Sequence, residues 1–326
     1  MGSDVHQCQS GVRGRGCMAS PRVLVVAGTH GNEINAPWLL DQWQQQPDLL
    51  DACGLEVVAV IGNPAAREQG RRYLDRDLNR SFRPDLLAEA AAGSSAVDRE
   101  MARAHSLVNQ YGLEAPESCA VALDLHSTTA AMGSSLVVYG RRPTDLALAA
   151  AVQQRLGVPV YLHEADQAQQ GFLVERWPCG LVLEIGPVPQ MVLDPRIVER
   201  TRLTLDACLT VLAEARDGRL TPPAELVVHR HLGSIDLPRD AEGRPEACLH
   251  PARQGRDWQP LTEGDPIFLK ADGSVIRYDG SSGRVPVFIN EAAYGEKGIA
   301  LSLTERECWP LDRSAPEALT ALLRPS

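Results

Sequence analysis

Through roughly the first two thirds of this 326-residue chain, short runs of aliphatic and β-branched residues alternate with stretches of helical periodicity. This alternation constrains the fold more tightly than any other feature. Strands separated by helices pair mostly in parallel, and the connecting helices cover both faces of the sheet. The predicted strands are 22–27 (RVLVVA), 55–61 (LEVVAVI, read as buried), 119–125 (CAVALDL, also read as buried), 135–139 and 181–185 (LVLEI). Helical patterns occupy 33–46, about 96–111, about 144–156 and 194–217. Pro37 is tolerated in the first turn of the first helix, and Ser94 or Ser95 is expected to cap the second. Residues 65–83 read as an Arg-rich loop.

The character changes at 217–225 (DGRLTPPAE), which has the Gly and Pro content of a linker. Beyond it lie short runs broken by turns, at 226–232, 266–270, 275–278, 285–290 and 299–303, and no internal repeat. The expected fold is therefore α/β, with a mixed, mostly parallel sheet and helices on both faces over residues 21–216. A smaller β-rich C-terminal domain follows over 217–326. Residues 1–20 read as a disordered leader or an expression remnant.

Composition excludes several classes. The formal net charge of −10 argues against a nucleic-acid partner, since phosphate binding needs concentrated Lys and Arg. No apolar run has the length of a membrane helix, and the N-terminal stretch lacks the apolar region of a secretory signal. The eight cysteines are scattered without a C-x-x-C pair. That pattern suggests reduced thiols in a cytoplasmic protein, so any metal must be held by His and carboxylates.

Three short motifs carry chemistry. His30 and Glu33 form H-x-x-E where the first strand gives way to a helix, so both side chains can reach one ion. His126 follows a buried strand, and Asp124 shares its side by period-two alternation, as a partner that would orient the ring or as a structural acid. Glu184 lies in the apolar run LVLEIGP, where a carboxylate is costly unless it has a partner or a task. Taken singly, each is weak or has an ordinary reading: a lone H-x-x-E rarely binds metal, a buried histidine is commonly hydrogen-bonded, and a buried Glu is commonly in a salt bridge. Taken together they gain force from position, because ligands bind at the carboxyl ends of strands in open α/β sheets. Two histidines, one Glu and one open position for water form a recognised catalytic zinc set. Glu184 then reads as a general base. Two further stretches are weaker. The arginines of RRYLDRDLNR (71–80) suit a carboxylate or an oxyanion, or are simply solvated. Tyr294 in INEAAYGEK (289–297) is by itself an ordinary surface residue. His229 and His231 mimic a metal pair without a third ligand, and His163 has no motif around it.

The combination resembles the aspartoacylase family of zinc carboxypeptidase-like amidohydrolases. The matching stretches are GTHGNE (28–33), RYLDRDLNRSF (72–82), DLHSTTAAMG (124–133), EIGPVPQ (184–190) and INEAAYGEKGIA (289–300), in the family's order. The resemblance implies one zinc per subunit, on His30, Glu33 and His126, with Glu184 as general base and then acid. It implies that Arg72 polarises the scissile carbonyl, that Asn79, Arg80 and Tyr294 hold an α-carboxylate, and that the β-rich domain caps the site. The implied substrate is a small N-acyl amino acid, with N-acetyl-L-aspartate first among them. There are departures. Ser127 stands where aspartoacylases carry Asn, and the segment before Glu184 does not align with the stretch that supplies an Arg for the side-chain carboxylate. Arg176 and Lys297 are the available substitutes. Alternatives are an aminoacylase for aromatic or other N-acyl amino acids, a succinylglutamate desuccinylase, a carboxypeptidase, and an inactive metal- or carboxylate-binding module. Homo-oligomerisation is left open.

Overall fold

A computed structural model describes residues 21–164, 170–221 and 223–324; the expectation for residues 1–20 lies outside them. The chain runs β1 (Arg22–Ala27), α1 (Asn35–Gln45), β2 (Glu56–Ile61), α2 (Pro64–Glu68), α3 (Pro84–Ala91), α4 (Arg99–Tyr111), β3 (Cys119–Ser127) and β4 (Ser134–Tyr139). It continues with α5 (Pro143–Leu156), β5 (Val160–His163), β6 (Cys179–Ile185), α6 (Pro195–Arg216) and β7 (Glu225–Asp236). The remainder is β8 (Ala247–Leu249), β9 (Pro266–Lys270), β10 (Val275–Arg277), β11 (Val285–Val287), β12 (Ile299–Pro310) and α7 (Ser314–Leu323).

Nine strands form one mixed sheet in the order β2-β1-β3-β6-β4-β5-β7-β12-β11, and β8, β9 and β10 form a small antiparallel sheet. Strands β2, β1, β3 and β6 are mutually parallel, and β4 reverses against β6. Both faces of β1 are buried, as its unbroken apolar run requires. Val23, Val25 and Ala27 join the core beneath α1, α5 and α6, while Leu24 and Val26 join the opposite core with Ala104, Leu107 and Trp177.

The expected α/β architecture with helices on both faces and a small β-rich C-terminal part is present. Four details differ. Strand β2 is the sheet edge and only partly buried, so its apolar run marks pairing to β1 on one side only. The cap of α4 is Asp98, whose side chain accepts from Met101 N at 2.9 Å, in place of Ser94 or Ser95. Strands β5 and β8 and helices α3 and α7 had no sequence reading, and α2 opens the segment read as a loop. The sheet also runs on past residue 217: β7 pairs in parallel with β5, and β12 and β11 extend it.

Candidate active site

The turn after β1 is shaped by close approach. A Cβ on Gly31 would lie 2.2 Å from the backbone of Ala66 and Arg67, so only glycine fits there. Gly31 N donates to Arg72 O at 3.1 Å, and Glu33 N to His30 O at 3.1 Å. These bonds hold His30 and Glu33 in the turn itself; α1 starts two residues later than expected, at Asn35. His126 stands in the last turn of pleat of β3 and is in register with Glu184 of β6. The carboxyl ends of β1, β3 and β6 thus meet at one place.

The Glu33 carboxylate lies between the two imidazoles. Its Oε1 is 2.6 Å from His30 Nδ1, its Oε2 is 3.1 Å from His126 Nδ1, and Ser127 N donates to Oε2 at 3.0 Å. The far nitrogens are held by two other carboxylates. His30 Nε2 is 3.0 Å from Asp77 Oδ1, and His126 Nε2 is 2.8 Å from Asp124 Oδ2. Thr29 Oγ1 donates to the other oxygen of Asp124 at 2.7 Å. Ionised carboxylates only accept, so each Nε2 donates outward, and each Nδ1 is the nitrogen left to face Glu33 and to offer a lone pair to a cation placed there. Among the described residues, His30, Glu33 and His126 form the group of three able to hold a metal, with ligand atoms within 4.8 Å of one another. Two imidazole nitrogens and a carboxylate, with both rings oriented by outer carboxylates, suit zinc.

The electrostatics agree with that use. Burial acts against charge on Glu33, but His30 and His126 outweigh it and hold its pKa well below the usual carboxylate range. Burial likewise opposes charge on His126, and Asp124 and Glu33 raise its pKa well above that of free imidazole. In the ion-free chain a proton therefore sits between Glu33 and His126, at the position a divalent cation would take. Glu184 behaves oppositely. Burial pushes its pKa up to about 8, His126 pulls it back, and Glu33 and Glu291 raise it further.

Arg72 leans over the same carboxylates, with Nη1 3.5 Å from Glu33 Oε1 and Nη2 3.3 Å from Asp77 Oδ2. Asp77 caps the short turn Leu78–Arg80, accepting from Asn79 N at 2.9 Å. The Arg80 guanidinium lies 4.1 Å above the Phe172 ring. From the C-terminal part, Tyr294 reaches in with its hydroxyl 3.0 Å from Ser302 Oγ. Glu291 Oε2 accepts from Thr128 Oγ1, from Thr129 N at 2.8 Å and from Ala130 N at 3.0 Å, so it pins the loop that follows His126.

One cavity of about 90 Å³ is lined by His30, Glu33, Arg72, Asn79, Arg80, His126, Glu184 and Tyr294. Lys297 does not join them. It is exposed, at the end of the Ala292–Lys297 turn just before left-handed Gly298, three residues beyond Tyr294 and outside the cavity wall. Arg176 lines a larger outer cavity of about 550 Å³ instead, which shares Tyr139, His163 and Phe172 with the inner one. His163, unassigned from sequence, is thus a wall residue. So are Tyr139, Tyr161, Phe172 and Phe288. Tyr139 ends a strand read from the sequence, whereas Tyr161 and His163 lie in a strand too short to show a period. Asp77 and Glu291 were also missed as site residues, although both lie inside stretches that drew attention. His229 packs against the Trp258 ring at 4.8 Å and builds no metal set with His231 among the described residues.

Comparison with known proteins adds a lineage. The profile of the Succinylglutamate desuccinylase/Aspartoacylase catalytic domain matches residues 19–212, and that of the AstE/AspA barrel-sandwich hybrid domain matches residues 224–306. The Probable aspartoacylase of Prochlorococcus marinus (strain MIT 9313) is 60% identical over 306 residues, covering 94% of this chain and 99% of its own length. That of Synechococcus sp. (strain CC9605) is 57% identical over the same length, covering 94% and 99%. Among solved structures, murine aminoacylase 3 superposes with a TM-score of 0.79 at 35% identity, covering 91% of this chain and 98% of its own. Succinylglutamate desuccinylase from Vibrio cholerae shares the fold, with a TM-score of 0.58 at 18% identity over 89% and 82%.

Proposed function

Because the chain belongs to the succinylglutamate desuccinylase/aspartoacylase family, we propose that it is a zinc-dependent deacylase cutting the amide bond of a small N-acyl amino acid, foremost N-acetyl-L-aspartate. The observation that carries this reading is the convergence, in one cavity, of a His–Glu–His donor set with Glu184 and Arg72. His30, Glu33 and His126 would hold one zinc per chain, which supplies Lewis acidity when bound.

The chain's own residues do the rest. Asp77 and Asp124 fix the tautomers and orientation of the two histidines. Glu184 takes the proton of the attacking water and returns it to the leaving nitrogen, so that water and amide become carboxylate and amine. Arg72 donates to the carbonyl oxygen as negative charge grows on it. Asn79, Arg80 and Tyr294 hold the α-carboxylate, and the segment bearing Tyr294 keeps long chains out.

A second reading has a specific observation behind it. Val137, Tyr139, Tyr161, Phe172 and Phe288 make much of the wall apolar and aromatic. Such a wall suits an N-acyl amino acid with an aromatic or aliphatic side chain better than aspartate.

The test is turnover by the zinc-loaded enzyme across N-acetylated acidic, aliphatic and aromatic amino acids, with N-succinylglutamate included. Hydrolysis of at least one N-acetyl amino acid, lost on chelation and in His126→Ala along with bound zinc, is expected. Full zinc retention in His126→Ala would refute the ligand assignment. Preference for aromatic side chains would select the second reading.

A further inference from the structure

Glu100 is buried, 1% exposed, in the first turn of α4, and does not line the cavity. Its carboxylate is met by neutral donors. Oε1 accepts from Leu74 N at 2.8 Å and from Asn63 Nδ2 at 3.0 Å; Oε2 accepts from Asp75 N at 3.0 Å and from Arg76 N at 3.4 Å. Three consecutive backbone N–H groups thus converge on one side chain, as they converge on bound anions in backbone nests. The N-terminal end of α4 adds a favourable dipole.

Those three residues lie between Arg72 and Asp77. Arg72 leans on Glu33, and Asp77 holds His30 Nε2. Asn63 ties the same carboxylate to the end of β2 beside the metal turn, since Asn63 N donates to Gly28 O at 2.9 Å. We propose that Glu100 is a positioning residue: an internal anion that folds residues 74–76 around itself and so sets Arg72 and Asp77 against the metal site. The inference rests on the deacylase reading for its kinetic consequences, but the geometry of the loop stands apart from it.

The test uses Glu100→Gln, which keeps the shape of the side chain. Its amide group turns one oxygen into a donor, so two of the four N–H groups face another donor whichever way the amide is turned. Misplacing a catalytic group by about 1 Å costs on the order of 100-fold in rate. The expected result is a folded protein with kcat/KM lowered roughly 10- to 100-fold. Zinc affinity, measured by chelator competition, should fall by a similar factor as Asp77 loosens from His30. Amide hydrogen exchange should show Leu74 and Asp75 protected in the wild type and unprotected in Glu100→Gln, with the amides of α4 unchanged. Unchanged zinc affinity with retained protection in the variant would overturn the proposal. If the variant does not fold, the wild type decides: rapid exchange at Leu74 and Asp75 overturns it, and protection supports it. If no N-acyl amino acid is turned over, the deacylase reading fails while the exchange and zinc measurements still judge this one.

Discussion

A carboxyl group set at the end of an apolar strand is either neutral or at work, and Glu184 has features of both. Burial raises its pKa to about 8 in the ion-free chain, so it is protonated at neutral pH. A divalent cation between His30, Glu33 and His126 favours the charged carboxylate and therefore lowers that value. Zinc loading is expected to shift the titration of the Glu184 carboxyl, followed by NMR, to lower pH; an unchanged midpoint would contradict the placement of the ion. If the ionised group is the base of the proposed reaction, activity should rise with pH through the shifted value. Glu184→Gln should fold and keep its zinc yet lose roughly 100- to 10,000-fold in kcat, the range general acid–base groups supply. Near-normal kcat would remove Glu184 from the chemistry. Glu184 was legible in the sequence because the solvation cost of a carboxylate among aliphatic residues is visible in one dimension. Asp77 was not, because its value to His30 arises across 47 residues of chain.

Helix α7 shows how a whole element escapes a sequence reading. Its N-cap position is Arg313, which makes no side-chain cap, and Asp312 Oδ1 accepts from Ser314 N at 2.8 Å instead; the helix is short and follows a long β-rich stretch. Yet Ala315, Leu319 and Leu323 enter the main core beside α5 and α6. Leu319 is fully buried, so Leu319→Ala should destabilise by about 2–5 kcal/mol, from lost transfer energy and the cavity left behind. Urea unfolding measures this; a change below about 1 kcal/mol would mean that α7 is not part of the cooperative core. Strand β5 was missed for a different reason. Four residues are too few to display alternation, and it becomes a strand because β4 and β7 flank it. The long, strongly patterned elements, β1, β3, β6 and α6, were legible to within one or two residues, since burial on a regular face imposes a period on the sequence.

Seen across the whole chain, the site joins two stretches more than 200 residues apart. Arg80 and Asn79 come from the Arg-rich loop and Tyr294 from the C-terminal part, and all three line one cavity. If they clamp an α-carboxylate, N-acetylaspartate should be cleaved and its α-amide should not. Losing a charge-assisted contact in a dry pocket costs on the order of 2–4 kcal/mol, roughly 30- to 1000-fold in kcat/KM. Arg80→Ala should discriminate far less between acid and amide. Equal cleavage of both by the wild type would dismiss the clamp. The C-terminal part also contributes Glu291, whose carboxylate fixes the loop after His126. The geometry around both the His–Glu–His group and the Arg80 side of the cavity therefore depends on residues from the far end of the chain.

The sequence alone determined the strand–helix alternation, the turn glycines, and the residue types at the ends of β1, β3 and β6. Each of these is written in local propensity or in the period of burial, and both act over a few residues. The tertiary structure alone decided that Asp77 and Asp124 each hold one histidine, that Lys297 lies outside the cavity while His163 lines it, and that the sheet continues into the C-terminal part. Those outcomes depend on which side chains meet after distant segments pair. A hydrogen bond or a shared wall has no period along the chain, so it appears only once the sheet has brought its strands together.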